Sequence, residues 1–322
     1  MRIITGSEIF NKNFEGSVIT IGNFDGVHKG HVEIFRHLKE RSRRFALPTV
    51  VVTFEPHPLK VLSPATAPPM ITTFEQKVEL IAGYEIDCLA VVPFTTEFSR
   101  TPAEEFVSRT LCDSLGMRHI VIGHDYAFGR GREGNFMTLQ KIGRERGFTL
   151  EDMNPIGEEG IVFSSSLARR MVAEGDMESA AKILGRCHTI SGTVIHGREI
   201  GKTIGFPTAN ISTDNELIPL DGVYAVMVSV DGRLLKGACN IGLNPTFEGG
   251  VRTIEVFLLD FSGQVYGMEI SICFVQRLRS VRKFPDTSTL IHAISRDVEQ
   301  TGIILESVDD LLIKIPVKIG NN

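Results

Sequence analysis

The chain of 322 residues carries a net charge of −5, and 42% of its residues are hydrophobic and 23% charged. It contains nothing close to the ~18 consecutive apolar residues of a membrane span, and its charge gives no electrostatic reason to expect a nucleic acid partner. Because such a length exceeds what one hydrophobic core usually organises, we expect a soluble protein of two domains.

Strand and helix patterns alternate in the first half of the chain. Short apolar runs predict strands at SVITIG, PTVVVTF, DCLAVVPF and HIVIGH, and helical patterns lie between them at VEIFRHLKERSRRF, FEQKVELIAGY and PAEEFVSRTLCDSL. Strands that alternate with helices pair in parallel. The first half therefore predicts a Rossmann-like, doubly wound α/β domain.

The second half has a different pattern. The segment SLARRMVAEGDMESAAKILGR predicts packed helices rather than a flexible linker, and we place the domain boundary after it, giving domains 1–186 and 187–322. Beyond it, SGTVIHG, GVYAVMVSVDGRLLKGACNIG and RTIEVFLLDFSGQVYGMEISICFV predict a small antiparallel β-barrel. Asp231-Gly232 and Ser262-Gly263 predict one hairpin each. A terminal helix is expected from Asp286 to about Leu305.

Cysteine usage and the amino terminus indicate a cytoplasmic protein. The 5 cysteines are odd in number, far apart and never in a Cys-x-x-Cys pair, which is typical of reduced thiols rather than of disulfides or zinc ligands. The first residues, MRIITGSEIFNKNFEG, have neither the basic nor the apolar region of a secretory signal.

The segment ITIGNFDGVHKGH, residues 19–31, runs from an apolar strand through a glycine-rich turn into a helix. This geometry presents backbone N–H groups to a phosphate. Gly22, Gly26 and Gly30 permit close approach of the backbone to a ligand, and His28 and His31 can donate hydrogen bonds to phosphoryl oxygens. The alternative is a pair of structural histidines at a helix N-terminus. A metal site is disfavoured because no cysteine or acidic cluster accompanies the pair at zinc-like spacing.

Glu255 is the only ionisable residue inside an otherwise apolar strand, in TIEVFLLDF. Burying such a group costs free energy unless it has a partner or a role. From the residues alone, two readings stay open. Glu255 is either a functional carboxylate or a residue on the solvated face of an edge strand.

The motif GNFDGVHKGH resembles the signature of the HxGH nucleotidyltransferases, specifically the FMN adenylyltransferase half of the bacterial bifunctional riboflavin kinase/FAD synthetases. Segments similar to later motifs of that family follow in order: TFEPHP, GHDYAFGRGREGN and SSSLAR. In the second half, GKTIGFPTAN, DGVYAV, NIGLNPTF and IEVFLLDFSGQVYG resemble the riboflavin kinase module. The resemblance extends almost from end to end. It departs at Ser166, where the family commonly has Thr, at Ala168, where it has a larger aliphatic residue, and at Phe257, where it often has His.

For the first domain, the resemblance implies transfer of an adenylyl group from ATP to FMN. His28 and His31 would contact the ATP phosphates as catalytic residues, with Mg²⁺ assisting, and Arg169 with Ser165 would hold the β and γ phosphates. The other implied phosphate-binding positions belong to the first motif: Gly22, Asn23, Phe24, Asp25, Gly26 and Gly30.

The resemblance also implies a flavin side to this first site. Asp125, in GHDYAFG, is the implied residue that orients the flavin. His57, between two prolines in TFEPHP, is expected to line the same cleft, although a loop histidine without a role is equally compatible with the sequence.

For the second domain, the resemblance implies phosphorylation of riboflavin by ATP. Glu255 is the implied general base for the ribityl hydroxyl. Thr208 and Asn210 are the implied ligands of Mg²⁺, a weak metal signal without the resemblance. Gly201, Lys202 and Pro207 are the implied nucleotide-binding positions.

The expected small-molecule ligands are therefore riboflavin, FMN, FAD and ATP. Two alternatives stay open. An HxGH adenylyl- or cytidylyltransferase that acts on another phosphorylated small molecule would leave the motifs of the second half unexplained. A flavin-binding regulatory protein without turnover is disfavoured by the retained functional residues, which include His28, Thr208 and Glu255.

Overall fold

The computed structural model describes residues 1–11, 14–124, 126–197, 200–244, 251–309 and 312–313, with the backbone alone at 200, 202, 244 and 251. Asp125 and the side chain of Lys202 therefore lie outside the described part. The chain forms two compact units. The first comprises Met1–Pro68 and Phe74–Phe163, and the second comprises Pro69–Thr73 and the described residues of Ser164–Val317.

A 6-stranded parallel sheet forms the centre of the first unit, in the order β1-β4-β3-β2-β5-β6. The central strands are buried along almost their whole length and are mostly apolar, because both faces of a parallel sheet are covered. A two-stranded hairpin follows the sheet. The strands are β1 (Arg2–Thr5), β2 (Ser17–Ile21), β3 (Thr49–Glu55), β4 (Cys88–Pro93), β5 (Met117–Gly123), β6 (Thr149–Met153), β7 (Gly157–Glu158) and β8 (Ile161–Val162).

Helices pack on both faces of this sheet. Neighbouring residues Val18 and Ile19 of β2 enter two different apolar cores, because successive side chains of a strand point to opposite faces. The helices are α1 (Lys29–Phe45), α2 (Pro58–Leu62), α3 (Phe74–Ala82), α4 (Ala103–Glu105), which continues as a π-helix over Phe106–Ser114, and α5 (Phe136–Arg146). Single 3-10 turns occur at Gly6–Phe10, Pro64–Thr66, Phe98–Arg100 and Arg130–Arg132.

The strand order creates a crevice at the carboxyl end of β2. This strand has β3 on one side and β5 on the other. The chain therefore first extends the sheet on the β3 side of β2 and later extends it on the β5 side. In open α/β sheets, ligands bind at the carboxyl ends of the strands where the order reverses in this way. The loop that carries GNFDGVHKGH begins at this point.

The second unit contains a closed barrel in the order β10-β13-β12-β11-β14-β9, with antiparallel pairing throughout. The predicted fold class of an α/β domain followed by an antiparallel barrel is thereby confirmed. The strands are β9 (His188–Ile195), β10 (Thr208–Thr213), β11 (Gly222–Val230), β12 (Arg233–Asn244), β13 (Val251–Leu258) and β14 (Glu269–Arg279).

One of the two predicted hairpins is correct and the other is wrong. Asp231-Gly232 joins β11 to β12, and both residues have positive φ, +49° and +72°, as a two-residue hairpin turn requires. Ser262-Gly263 joins no hairpin, since β13 pairs with β10 and β12 while β14 pairs with β9 and β11. The closure of the barrel determines which strands pair, and the residues of a local turn do not predict this pairing.

The helices expected in the linking segment and at the end of the second half are present, and a short helix in the β9–β10 connection was not predicted. The helices are α6 (Ser165–Glu174), α7 (Met177–Leu184), α8 (Ile200–Thr203) and α9 (Thr287–Glu306). Asp286 caps α9, since its side chain accepts a hydrogen bond from the Thr289 backbone N–H at 2.7 Å. Both α6 and α7 belong to the compact unit of the barrel, which begins at Ser164. No helix in the described part of the chain has both the length and the apolar character to cross a bilayer.

Candidate active sites

His28 caps the N-terminus of α1. Its backbone is extended, and its Nδ1 accepts a hydrogen bond from the backbone N–H of Gly30 at 3.1 Å. A neutral imidazole whose Nδ1 accepts carries its proton on Nε2. The capping contact thus determines both the orientation and the tautomer of the ring.

His31 lies one turn further along α1 and stacks on His28, with ring centroids 3.6 Å apart and planes inclined by 25°. The edge of Phe24 contacts His31 with centroids 5.1 Å apart. A Cβ atom on Gly30 would lie only 3.0 Å from the ring of His28. Gly30 therefore makes room for the imidazole pair, a packing reason that the sequence interpretation did not include.

The rest of the first motif lies at the same sheet edge. Gly22 and Asn23 directly follow β2, and the Asn23 carbonyl accepts a hydrogen bond from the Thr53 hydroxyl of β3 at 3.2 Å. Phe24 and Asp25 are buried. Gly26 has φ +77° within the turn. The structure thus holds the loop firmly between the strand and α1, as a preorganised phosphate site requires.

His57 occupies the adjacent edge position, after β3. It caps α2, and its Nδ1 accepts from the Leu59 backbone N–H at 3.2 Å. This contact gives His57 a structural role, and its expected place beside the flavin stays a prediction. Asp125, the other residue expected on the flavin side, lies outside the described residues.

Sequence reasoning did not single out Lys29. Its ammonium group pairs with Glu158 of the β7–β8 hairpin at 2.8 Å and lies 5.3 Å from the ring centroid of Phe163. The position of Lys29 between the two histidines of the motif was the sequence signal that could have identified it. The contact shows that the hairpin packs beside the start of α1.

Ser165 and Arg169 lie on α6 in the second unit, one helical turn apart. Ser164 is the N-cap, with its hydroxyl accepting from the Leu167 backbone N–H at 3.2 Å. The Arg169 Nε donates to the Pro69 carbonyl at 2.9 Å within the same unit. Their expected contact with ATP phosphates stays a prediction.

Glu255 is half-buried at the middle of β13, directly opposite Asn210 of β10 and Asn240 of β12. Because β13 lies between two barrel strands, the edge-strand reading of Glu255 is excluded. Its carboxylate accepts long hydrogen bonds of 3.4 Å from the hydroxyls of Thr208 and Thr253. The structure therefore brings Thr208, Asn210 and Glu255 together, and the roles that the resemblance implies for them stay predictions.

The β9–β10 loop lies against these residues. A Cβ atom on Gly197 would lie 2.1 Å from Nδ2 of Asn210, so the backbone approaches the amide as closely as only glycine allows. Further along, the Gly201 carbonyl accepts from the Phe206 backbone N–H at 2.8 Å. Pro207 directly precedes β10, and only the backbone of Lys202 is described. Nucleotide contacts of these positions stay predictions.

The donor set around Glu255 suits a hard cation. A hydroxyl, an amide oxygen and a carboxylate lie on one face of adjacent strands, and Mg²⁺ prefers such oxygen ligands together with water and substrate phosphates. In the described part of the chain, no group of three or more histidine, cysteine, aspartate or glutamate side chains forms an all-protein metal cage. A site that depends on Mg²⁺ brought with a nucleotide fits this arrangement.

Two family models match the chain, one for each compact unit in sequence order. The model described as FAD synthetase matches residues 10–167. The model described as riboflavin kinase matches residues 184–305. The first range contains the His28–His31 pair. The second contains Thr208, Asn210 and Glu255, which are called the Glu255 row below.

Curated relatives match the chain nearly from end to end. A bifunctional riboflavin kinase/FMN adenylyltransferase of Pseudomonas fluorescens is 38% identical over 299 residues, 92% of this chain and 96% of that protein. Proteins with the same description from Escherichia coli K12 (38%, covering 88% and 91%) and Haemophilus influenzae (36%, covering 95% and 100%) are also similar. A crystal structure titled as a macrolide-efflux protein from Streptococcus pneumoniae has the same fold, with a TM-score of 0.85 and 28% identity over 94% of this chain and 99% of that one.

Proposed function

The chain belongs to the bifunctional riboflavin kinase/FMN adenylyltransferase family, and we propose that its two units divide these reactions between the sites described above. The protein phosphorylates riboflavin with ATP to give FMN, and it transfers the adenylyl group of ATP to FMN to give FAD and pyrophosphate. The observation that carries the proposal is the separation of two preorganised polar sites, the stacked His28–His31 pair and the Glu255 row, in different units.

Adenylyl transfer takes place at the carboxyl edge of the parallel sheet. The FMN phosphate attacks the α-phosphorus of ATP, so the site must hold two polyanions together and stabilise the charge that develops on the α-phosphate and the leaving pyrophosphate. His28 donates from Nε2 to a phosphoryl oxygen, because its Nδ1 is engaged by Gly30. His31, stacked against it, supplies a second donor. The reaction needs no covalent intermediate.

Further residues complete this first site in the proposal. The backbone of Gly22, Asn23, Phe24, Asp25, Gly26 and Gly30 cradles the phosphates, Ser165 and Arg169 hold the β and γ phosphates, and Asp125 with His57 faces the flavin. The support is the match of these positions to the motifs of the family, together with the strong donor geometry of arginine toward phosphate.

Phosphoryl transfer takes place on the outer face of the barrel at β10 and β13. Glu255 accepts the proton of the ribityl hydroxyl as that oxygen attacks the γ-phosphate of ATP. Thr208 and Asn210 would hold Mg²⁺, and the ion would neutralise charge on the nucleotide phosphates when bound. Gly201, Lys202 and Pro207 approach the nucleotide from the β9–β10 loop. The direct opposition of Asn210 and Glu255 supports this assignment.

The proposed functional domains are 1–186 and 187–322, although the helices α6 and α7 pack with the barrel. We place both reactions in the cytoplasm, where ATP and Mg²⁺ are available. The scattered cysteines support that location.

Incubation of the purified protein with riboflavin, ATP and Mg²⁺, followed by chromatography of the flavins, tests the function. We expect FMN to appear first and FAD to follow. A flavin-binding protein without turnover would return riboflavin unchanged. Omission of Mg²⁺ should prevent the formation of both products, and unchanged rates in the presence of a chelator would contradict the role of the metal.

A further inference from the structure

Two adjacent residues of β6 each hold an imidazole with the same geometry. Glu151 pairs with Nδ1 of His37 at 3.0 Å, and Asp152 pairs with Nδ1 of His124 at 3.0 Å. Neighbouring strand residues point to opposite faces, so one pair lies on each face of the sheet. The two pairs differ in their surroundings and in their place along the strands.

The Glu151 pair has a structural explanation. Arg41 also donates to Glu151 at 2.5 Å, and the side chains of His37 and Glu151 are only about one fifth exposed, at 22% and 21%. The cluster ties α1 to the sheet edge. The side chain of His124 is 55% exposed, and an exposed ion pair contributes little to stability.

His124 lies at the ligand-binding edge of the sheet. It directly follows β5, and its backbone N–H donates at 3.1 Å to the carbonyl of Met153, the last residue of β6. β5 is the direct neighbour of β2, with Thr20 opposite Val121, so the two strands end level with each other. His124 therefore lies on the β5 side of the crevice at the carboxyl end of β2, and the loop that carries His28 lies on the β2 side.

We propose that His124, oriented by Asp152, binds the 5'-phosphate of FMN during adenylyl transfer. The inference rests on the proposed function of the first unit. Two polyanions, ATP and FMN, must bind together at this edge. In the proposed function, the His28–His31 pair on the β2 side binds the phosphates of ATP. The attacking phosphate then needs a donor on the β5 side. The Asp152 carboxylate accepts a hydrogen bond from the Nδ1–H of His124 and holds the ring in one orientation, as carboxylates do for functional imidazoles. In the imidazolium form of this ring the Nε2–H donates to the FMN phosphate.

The test measures FAD formation by the full-length protein with FMN and ATP varied separately. His124→Ala should raise the KM for FMN roughly 10- to 100-fold, the range for loss of one hydrogen bond to a charged group, with the KM for ATP nearly unchanged. His124→Gln, whose amide can still donate, should lie between Ala and wild type. Asp152→Asn should raise the same KM by less. His37→Gln is the matched control because it alters the equivalent pair on the other face.

Several outcomes overturn the inference. One is a rise in the KM for ATP alone, which would place His124 on the nucleotide. Another is a change in the KM for FMN in His124→Ala that is no larger than the change in His37→Gln. His31→Ala in the same assay separates this failure from a failure of the proposed function. If His31→Ala abolishes FAD formation while His124→Ala behaves as wild type, only the assignment of His124 is wrong. If neither matters, adenylyl transfer does not use this sheet edge.

Discussion

Asn210 and Glu255 are directly opposite each other on adjacent antiparallel strands of the barrel. Side chains paired in this way have Cβ atoms about 5 Å apart on one face, and the Thr208 hydroxyl also reaches the Glu255 carboxylate at 3.4 Å. The proposed base and the proposed metal ligands thus occupy one patch of the barrel surface.

Glu255→Gln should abolish kinase turnover while riboflavin and ATP still bind. The substitution keeps the size of the side chain but removes its basic oxygen, so the substrate docks without a proton acceptor. A general base contributes roughly 100- to 10,000-fold to the rate, and the loss should appear in kcat for FMN formation. Near-normal FMN production would show that Glu255 is structural. A large loss of riboflavin affinity would make it a substrate anchor.

Gly197→Ala should impair the kinase through Asn210. The new Cβ atom would lie 2.1 Å from the Asn210 Nδ2 and must displace the amide. Misplacement of a catalytic group by about 1 Å can cost on the order of 100-fold in rate, so FMN formation should fall strongly while FAD formation from added FMN continues. Gly302→Ala, in α9 with no atom within 4 Å of the new Cβ, is the control. Equal behaviour of the two variants would argue against the role of Asn210.

His31→Ala should reduce adenylyl transfer roughly 10- to 1000-fold, the range for removal of one preorganised donor to a developing charge. FMN formation from riboflavin should continue, since His31 belongs to the other unit. The initial rates of both reactions, measured on one preparation, check this expectation. A parallel loss of both activities would indicate a folding defect instead.

The sequence was informative where local patterns determine structure. The four central strands of the parallel sheet (β2 to β5), the Asp286 cap of α9 and the Asp231-Gly232 hairpin all follow from periodicity and short-range chemistry. The opposition of Asn210 and Glu255 depends on register between distant strands, and only the family resemblance predicted it. The failure at Ser262-Gly263 has the same cause, because barrel closure selects the strand partners. The pairing of His124 with Asp152 could not be predicted either, because it joins the ends of two strands that are distant in sequence.

Removal of α7 should destabilise the barrel unit. Five side chains of this helix are buried, namely Met177, Ala180, Ala181, Ile183 and Leu184. A fragment that begins at Ser164 should therefore unfold at a higher temperature than one that begins at Arg186, because the shorter fragment exposes the apolar surface that α7 covers. Thermal unfolding followed by circular dichroism makes the comparison. The longer fragment should form FMN but no FAD. If the longer fragment folds but forms no FMN, the kinase site requires residues of the first unit.

The first unit should lose stability in mild acid because of His119. Burial lowers the pKa of His119, so the folded state binds fewer protons than the unfolded state, whose histidine pKa is about 6.5. This contribution to stability is complete above that pH and is lost as the pH falls through the lowered value. His119→Asn keeps a polar partner for the Thr149 hydroxyl, 2.7 Å from Nδ1, and cannot titrate. Its melting temperature should vary less between pH 7 and pH 5, and an unchanged slope would contradict the assignment.

The most direct test of two separate sites is complementation between two inactive variants. Glu255→Gln should make no FAD from riboflavin because it forms no FMN, and His31→Ala should accumulate FMN without FAD. An equimolar mixture of the two proteins with riboflavin, ATP and Mg²⁺ should restore FAD, since FMN released by one variant reaches the intact adenylyltransferase site of the other. If the mixture forms no FAD although each variant retains its one expected activity, free FMN does not pass between independent sites. If either variant lacks both activities although it melts at the temperature of the wild type, the division of the two reactions between the units is contradicted.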